Sequence, residues 1–365
     1  MLILTSSGYK QSVSYAGETS YGSAATVDTP FGLVQSVNPT ESNSLIKVRN
    51  LGGTRDYGAV VPGKFEVSGT MEYYLQKGAF IRHAIGEDTG TTNTIDSGPR
   101  IFNQSPKRYL HIMGSAESPG VDNFPSFTME FADEENAAVN VTNLNRTYTG
   151  GRVDNLTISG NVDEPVKVNV DWKAAEVIAS TGPATDVTAY TEDPYVFYQG
   201  NIYFTSGVID SNTTQASMSN YIVANINSFE CAIANNCESG WYLGGTTNSS
   251  QSLRGAKHII PKGRDYSLKL GLHFSNSTMY RRFLGSDTAT KSQSTLTKYT
   301  CVIDLVRAGK IGSVSGDADF MRMVFASASF DDINITGAPE DLVSEDISIY
   351  PKKAKFYVCD DVSSY

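Results

Sequence analysis

The chain has 365 residues and a formal net charge of −10 at pH 7. Only 19% of the residues are charged, and there are 32 Gly and 20 Tyr, a balance that suits a β-rich protein better than a helical or disordered one. The negative charge argues against a groove that binds nucleic acid, because phosphate recognition requires a basic face. The length is sufficient for two domains, each with its own core.

The start of the chain has no long apolar segment. Residues 1–4 (MLIL) are shorter than a signal peptide or a membrane anchor, and no later apolar run reaches the thickness of a bilayer. We therefore expect assembly in the cytoplasm and no membrane partner. The four Cys residues match no zinc spacing and are too few for a disulfide framework, so buried thiols are expected at Cys231, Cys237, Cys301 and Cys359.

Alternation of apolar and polar residues is the dominant pattern along the chain, and it predicts strands with one buried face. In chain order the predicted strands cover residues 65–73, 127–131, 156–158, 166–172, 266–274, 333–335 and 347–349. One short helix is expected in each half, at residues 76–85 and 277–284, stopped by Gly86 and Gly285. The pair Gly150-Gly151 predicts a hairpin turn.

Between the two halves, residues 175–193 are polar and lack clear periodicity. We place a linker at residues 182–193, a first module with an N-terminal arm at residues 1–181, and a second module at residues 194–365. Residues 42–60 and 234–257 are long segments rich in Gly, Asn and Ser at corresponding places in the two modules. Loops of this length in compact domains are usually functional.

The two halves share a repeated pattern. Residues 55–86 align without a gap over residues 254–285, which places Arg55 on Arg254, Pro62 on Pro261, Arg82 on Arg281 and Gly86 on Gly285. Upstream, residues 34–38 parallel residues 223–227, and downstream, residues 154–160 parallel residues 331–337. Because three blocks recur in one order and with matching alternation, the sequence predicts the duplication of one β-rich module.

No motif for catalysis, a cofactor or a metal emerges. The four His residues occupy no metal-binding spacing, and no Walker or dinucleotide-binding loop is present. Acidic clusters such as Asp133-Glu-Glu135 lack the alternate-ligand spacing of a calcium loop, and are expected to be exposed turns. We therefore expect no enzyme, no cofactor and no metal site.

Several short motifs, taken in order, resemble the tail tube (major tail) proteins of long-tailed phages and related viruses. They are residues 18–25 (ETSYGSAA), 31–38 (FGLVQSVN), 63–69 (GKFEVSG), 148–159 (YTGGRVDNLTIS) with Glu164-Pro165, 226–230 (INSFE), 234–236 (ANN) and 241–244 (WYLG). The resemblance implies a mostly β fold of two tandem β-sandwich or split-barrel modules, each with one short helix. It also implies a virion protein whose trimers form pseudo-sixfold rings that stack into a tube.

In such a family the tube meets a terminator, a baseplate, a tape measure protein in its lumen and in some viruses a sheath, while DNA passes an acidic lumen without specific binding. The long loops and the N-terminal arm are expected to reach the adjacent ring. Our candidates for contacts between subunits or rings lie in these loops: Ser42, Arg49, Arg55, Asp56, Asn235, Asn236 and Arg254. Arg55 and Arg254 are expected to form ion pairs between subunits, or to be unpaired surface residues.

Three other interpretations remain open at the level of sequence. A terminator or baseplate ring protein reuses the tube fold but stops at one ring. A tandem-β surface glycoprotein of the S-layer type would account for the Asn-X-Ser/Thr sequons, although no secretion signal is visible. A carbohydrate-binding or depolymerising virion protein would use the many Tyr residues, but most aromatic residues fall on predicted core positions.

Overall fold

The computed structural model describes residues 11–51, 55–86, 109–114, 124–133, 144–182, 184–209, 213–223, 225–242, 253–307, 319–337 and 342–362. These residues form a mostly β protein with twenty strands and three short α-helices. The first-half elements are β1 (Gln11–Gly17), β2 (Thr29–Pro30), β3 (Leu33–Ser42), β4 (Ile46–Val48), β5 (Ala59–Val61), β6 (Glu66–Tyr74), α1 (Arg82–Ile85), β7 (Tyr109–Gly114), β8 (Phe127–Asp133), β9 (Leu144–Asn161), β10 (Lys167–Ala174) and β11 (Glu176–Ser180).

The second-half elements are β12 (Gly200–Thr205), α2 (Gln215–Met218), β13 (Ile226–Ala234), β14 (Glu238–Gly240), β15 (His258–Ile260), β16 (Asp265–His273), α3 (Thr278–Leu284), β17 (Tyr299–Val306), β18 (Phe320–Thr336), β19 (Ser344–Tyr350) and β20 (Lys353–Asp360). All seven strands predicted from alternation are present. The helix predicted at residues 76–85 is shorter, a 3₁₀ turn at Ala79–Ile81 followed by α1. Residues 184–193, inside the predicted linker, form neither strand nor helix.

The strand pairings of the first half recur in the second half. In the first half β1 pairs with β8, β8 with β9, β9 with β10 and β11, β10 with β6, and β6 with β3. In the second half β12 pairs with β17, β17 with β18, β18 with β19 and β20, β19 with β16, and β16 with β13. Each long loop carries a two-stranded hairpin, β4 with β5 and β14 with β15. Every first-half strand in these pairs therefore has a counterpart in the second half.

The irregularities of the ladders occur at matching positions as well. In the ladder of β9 with β10 the register shifts at Asp154, which lies opposite Asp171 and Trp172. In the ladder of β18 with β19 the register shifts at Asp331. The register also shifts at Gln35, where β3 pairs with β6, and at Asn227, where β13 pairs with β16, so these two residues correspond. Residues 154–160 and 331–337, which the sequence aligns, therefore occupy matching positions in the two ladders. The upstream alignment is wrong by three residues, because Val34, opposite Tyr73, corresponds to Ile226, opposite Leu272.

The prediction of a hairpin turn at Gly150-Gly151 is wrong. Both residues lie inside the long strand β9, where Gly150 adopts a φ of 64° at a bulge. The counterpart position in β18 is Ser327, with a φ of 55°. A bulge of this kind bends the strand and increases its twist, so that one strand contributes to two sheets.

At one pair of facing core positions the two halves use side chains of different sizes. Trp172 is buried opposite Gly69, where an added Cβ would lie 2.5 Å from the indole ring. In the second half the facing pair is Ile349 and Leu268, both buried. A large side chain therefore faces glycine in the first half, and two side chains of medium size face each other in the second half. The total side-chain volume is similar in both, as a closely packed interior requires.

Eight strands form one continuous sheet across both halves, in the order β18, β19, β16, β13, β9, β10, β6 and β3. One face of this sheet packs on the core, and the other is polar. No α-helix among the described residues has the length and apolar content needed to cross a membrane.

Candidate assembly surface

The two halves meet at two ladders: β20 of the second half pairs with β7 of the first half, and β13 of the second half pairs with β9 of the first half. The β13–β9 ladder is the one that continues the eight-stranded sheet. The ladder runs antiparallel from Ser228 opposite Asn161 to Ala234 opposite Asn155. Two backbone hydrogen bonds lie at its ends, from the Val162 amide to the Asn227 carbonyl at 3.1 Å and from the Asn235 amide to the Asp154 carbonyl at 2.8 Å. The halves are therefore joined strand to strand, and backbone hydrogen bonds hold the joint in one register.

The hairpin β14–β15 strengthens this joint from the second half. Ile259 at its centre is buried against Phe124 and Cys237, and its amide donates to the Tyr21 hydroxyl at 2.8 Å. Phe124 and Tyr21 belong to the first half. Burial raises the pKa of the Cys237 thiol to about 12, so this side chain acts as a small apolar group.

Two of the predicted contact residues lie at this joint. The Arg254 guanidinium donates from Nε to the Gly63 carbonyl at 2.7 Å and from Nη2 to the Asn43 Oδ1 at 2.8 Å, so it links the halves through neutral acceptors. The buried Asn235 amide donates to the carbonyls of Ala84 and Val153 at 2.9 and 3.1 Å. Asn236 stays within the second half, where it adopts a φ of 50° and donates to Asp265 Oδ2 at 3.0 Å.

The first-half candidates lie on a surface that the chain itself leaves exposed. Ser42 ends β3, and Arg55 and Asp56 lie in the loop beyond β4. Arg49 donates to the Arg55 carbonyl at 3.0 Å, and its guanidinium lies 4.5 Å from the centre of the Tyr57 ring. The structure thus brings Arg49 and Arg55 together. Sequence reasoning missed Asn43, Phe124 and Ile259, although Asn43 lies in the predicted loop at residues 42–60 and Ile259 lies in the segment aligned with residues 55–86.

Each end of the eight-stranded sheet has an edge that the described residues leave unpaired. At one end β3 pairs only with β6. At the other end the last residues of β18, from Asp332 to Thr336, pair only with β19. These two strands are the counterparts of β13 and β9, the strands that join the halves. Unpaired edges of this length are usually protected or completed by another chain.

A buried carboxyl lies one strand in from the β18 edge. Glu345 sits between Leu272 and Ile335, and its Oε1 atom has no hydrogen-bond partner among the described residues. Burial raises its pKa, because desolvation penalises the charged form. The edge thus carries a side chain that is more readily neutral than a surface carboxylate.

The polar face of the eight-stranded sheet is acidic. Alternation with the buried positions places seven carboxylates on it: Glu66, Glu72, Asp171, Glu230, Asp265, Asp332 and Asp346. The same face carries three lysines, Lys167, Lys173 and Lys269. Among these side chains, Lys269 and Glu230 form an ion pair, with 2.8 Å between Nζ and Oε1. A face with this excess of negative charge repels a phosphate backbone.

The described residues show neither a metal-binding cluster nor an exposed thiol. No group of three or more His, Cys, Asp or Glu side chains among them is arranged to hold a metal ion. All four Cys residues are free and buried, and burial raises the pKa of Cys231, Cys237 and Cys301. Thiols of this kind are unreactive.

The comparisons with known proteins agree with an assembly protein. The model of a family described as phage tail tube protein matches residues 8–343, which is nearly the whole chain. No curated protein matches the sequence.

Proposed function

Because the chain belongs to the phage tail tube protein family, whose members are structural proteins of the virion tail, we propose that three copies close into a ring and that the rings stack into the hollow tube that delivers viral DNA. We further propose that residues 1–181 and 194–365 are copies of one duplicated module joined by residues 182–193. Six modules in three chains then give the ring its pseudo-sixfold outline.

The joint between the halves carries this proposal. It pairs β13 with β9, and their counterparts β3 and β18 present the two unpaired edges. Repeating the same joint between copies therefore pairs β3 of one copy with β18 of the next. Each copy offers one edge of each kind, so the contact is head to tail, and a head-to-tail contact makes a ring when its rotation closes.

The register of the contact between copies follows from the register within the chain. Glu230 lies opposite Ser159 and Ala232 opposite Thr157. The counterparts of these pairs are Asn38 with Thr336 and Thr40 with Asn334. Three copies at eight strands each would give a closed barrel of 24 strands, in which both edges of the eight-stranded sheet are paired.

One residue of the β3 edge departs from this symmetry. The hydrogen bonds at Asn227 and Asn235 show that amides at odd positions of β13, including Cys231, point towards β9. The counterpart of Cys231 is Pro39, which has no amide hydrogen. The ladder between copies therefore has one hydrogen bond fewer than the joint within the chain. Proline at an edge also discourages pairing with a wrong partner.

The acidic face would line the lumen in this arrangement, because the opposite face packs on the core of each half. DNA would then pass without binding, as the net negative charge of this face favours. At its ends the tube would meet terminator and baseplate proteins, with a tape measure protein inside it.

Engineered disulfides test the ring contact. In antiparallel sheets the pair Asn38 and Thr336 would be non-hydrogen-bonded, with Cα atoms about 4.5 Å apart, a distance that a disulfide spans. We expect the variant Asn38→Cys with Thr336→Cys to give covalent trimers on a non-reducing gel. The buried native thiols keep the background low.

The matched control is Asn38→Cys with Asn334→Cys, which is two residues out of register and about 7 to 8 Å apart. It should give monomers. Monomers from the in-register variant, or equal yields from both variants, would contradict the proposed pairing of β3 with β18.

A further inference from the structure

The two loop hairpins differ in how their apolar side chains are covered. In the second half Cys237 is 5% exposed and Ile259 is 1% exposed, and both pack with Phe124, which is 6% exposed. In the first half Leu45 is 58% exposed and Val60 is 52% exposed on the hairpin β4–β5. The same kind of hairpin is thus covered in one half and uncovered in the other.

The registers place these side chains at equivalent positions. Val61 lies opposite Ile46, as Ile260 lies opposite Glu238. In this frame Leu45 is the counterpart of Cys237, and Val60 is the counterpart of Ile259.

The covering residue has a counterpart too. Phe124 lies three residues before Phe127, the first residue of β8, which pairs with Gly151 of β9. Leu296 lies three residues before Tyr299, the first residue of β17, which pairs with Ala328 of β18, and Leu296 is 42% exposed. All three members of the buried cluster therefore have exposed large apolar counterparts, and these occur on two surfaces of one chain.

We propose that the hairpin β4–β5 of one copy packs on the second half of the next copy in the ring, with Leu45 and Val60 covering Leu296 of that copy. This inference rests on the proposed ring. Within the chain, the half that supplies β13 also supplies the hairpin, and both contact the half that holds β9. The half that supplies β3 would likewise place its hairpin on the half that holds β18, so the apolar contact continues the strand contact.

The polar contacts at the base of the hairpin extend the argument. Arg254 donates to the Gly63 carbonyl at 2.7 Å, and the Phe65 amide donates to the Arg254 carbonyl at 2.8 Å. The counterparts are Arg55 and the Lys262 carbonyl of the next copy. Arg55 would then bind a neutral carbonyl of its neighbour.

The two faces of the hairpin supply a matched pair of variants. Val60 shares a face with Leu45, whereas the neighbouring Val61 points to the other face and is 40% exposed. Its counterpart Ile260 also stays exposed. Because Val60 and Val61 are both exposed in the single chain, replacing either with Asp should leave the monomer folded.

The variants are made in the Asn38→Cys with Thr336→Cys background, and covalent trimers are measured. We expect Val60→Asp to lower the trimer yield at least tenfold, and Val61→Asp to change it less than twofold. Equal effects of the two substitutions would overturn the inference, while the parent trimer would show that the ring itself is sound.

A second variant, Val60→Cys with Leu296→Cys, is treated with a short bismaleimide. Covalent trimers would support the contact, and Val60→Cys with Leu342→Cys, at the far end of the sheet, should give none. Covalent products larger than trimers would show that the hairpin contacts the adjacent ring, and would overturn the inference. Failure of both the hairpin pair and the Asn38 pair would overturn the proposed ring as well.

Discussion

Asp304 on β17 and Arg322 on β18 form a buried ion pair that supports the second half. Both side chains are fully buried, and the guanidinium donates from Nε to Oδ1 at 2.7 Å and from Nη2 to Oδ2 at 2.8 Å. A further bond runs from Nη1 to the Thr213 carbonyl at 2.6 Å. Replacing Asp304 with Asn removes the countercharge and leaves the guanidinium buried.

Breaking a buried pair in this way costs about 3 to 5 kcal/mol of unfolding free energy. For a unit of this size each kcal/mol lowers the Tm by about 2 to 4 °C, so we expect a drop of about 6 to 20 °C in calorimetry. The strand pairing itself does not require this ion pair, because in the first half Ala132 and Asn145 face each other at the equivalent positions.

The matched control replaces both partners, Asp304→Leu with Arg322→Met, which fills the site with apolar side chains of similar size. Its unfolding free energy should lie within about 2 kcal/mol of that of the natural chain, since apolar replacement of a whole buried pair is often neutral or stabilising. A single variant as stable as the natural chain would refute this reasoning, and so would a double variant as unstable as the single one.

Three further predictions concern pH, packing and the lumen. Burial lowers the pKa of His83 to about 3, so this side chain stays neutral in the folded chain at pH values where it is protonated in the unfolded chain. The free energy of unfolding therefore falls as the pH drops below 6.5, by about 2 kcal/mol at pH 5. The variant His83→Phe should flatten the dependence of Tm on pH in this range. Gly69→Ala should cost about 1 to 3 kcal/mol in urea unfolding, because the new methyl group meets the Trp172 ring, and an unchanged midpoint would contradict the packing. Tubes with Glu72→Lys, Asp171→Lys, Glu230→Lys and Asp346→Lys together, in which lysines outnumber carboxylates on this face, should bind DNA at low salt and release it as salt rises, whereas unmodified tubes should not bind; equal binding would contradict an acidic lumen.

The strands could be predicted from sequence because alternation reports burial directly, as at Val67 and Met71, which both point into the core. Even the bulge shared by Asp154 and Asp331 appears as an aligned block. The upstream slip of three residues has a different reason. Residues 34–38 and 223–227 share only a short apolar and polar pattern, and a pattern of five residues does not fix the register of a strand.

The strand pairing that joins the two halves could not be predicted from the sequence. The pairing of β13 with β9 brings together residues such as Cys231 and Ile158, which alternate like any other strand residues and carry no mark of their partner. The covering of Ile259 by Phe124 is likewise a tertiary contact between distant segments. For the same reason Arg254 could be selected as a contact residue, whereas its acceptors, Gly63 and Asn43, could not.

Electron microscopy of the purified chain across a concentration series tests the central claim most directly. The account predicts long hollow tubes whose rings contain three chains, with a pseudo-sixfold outline and a wall of 24 strands around the lumen. Rings of six chains, isolated rings that never stack, or monomers at every concentration would contradict it.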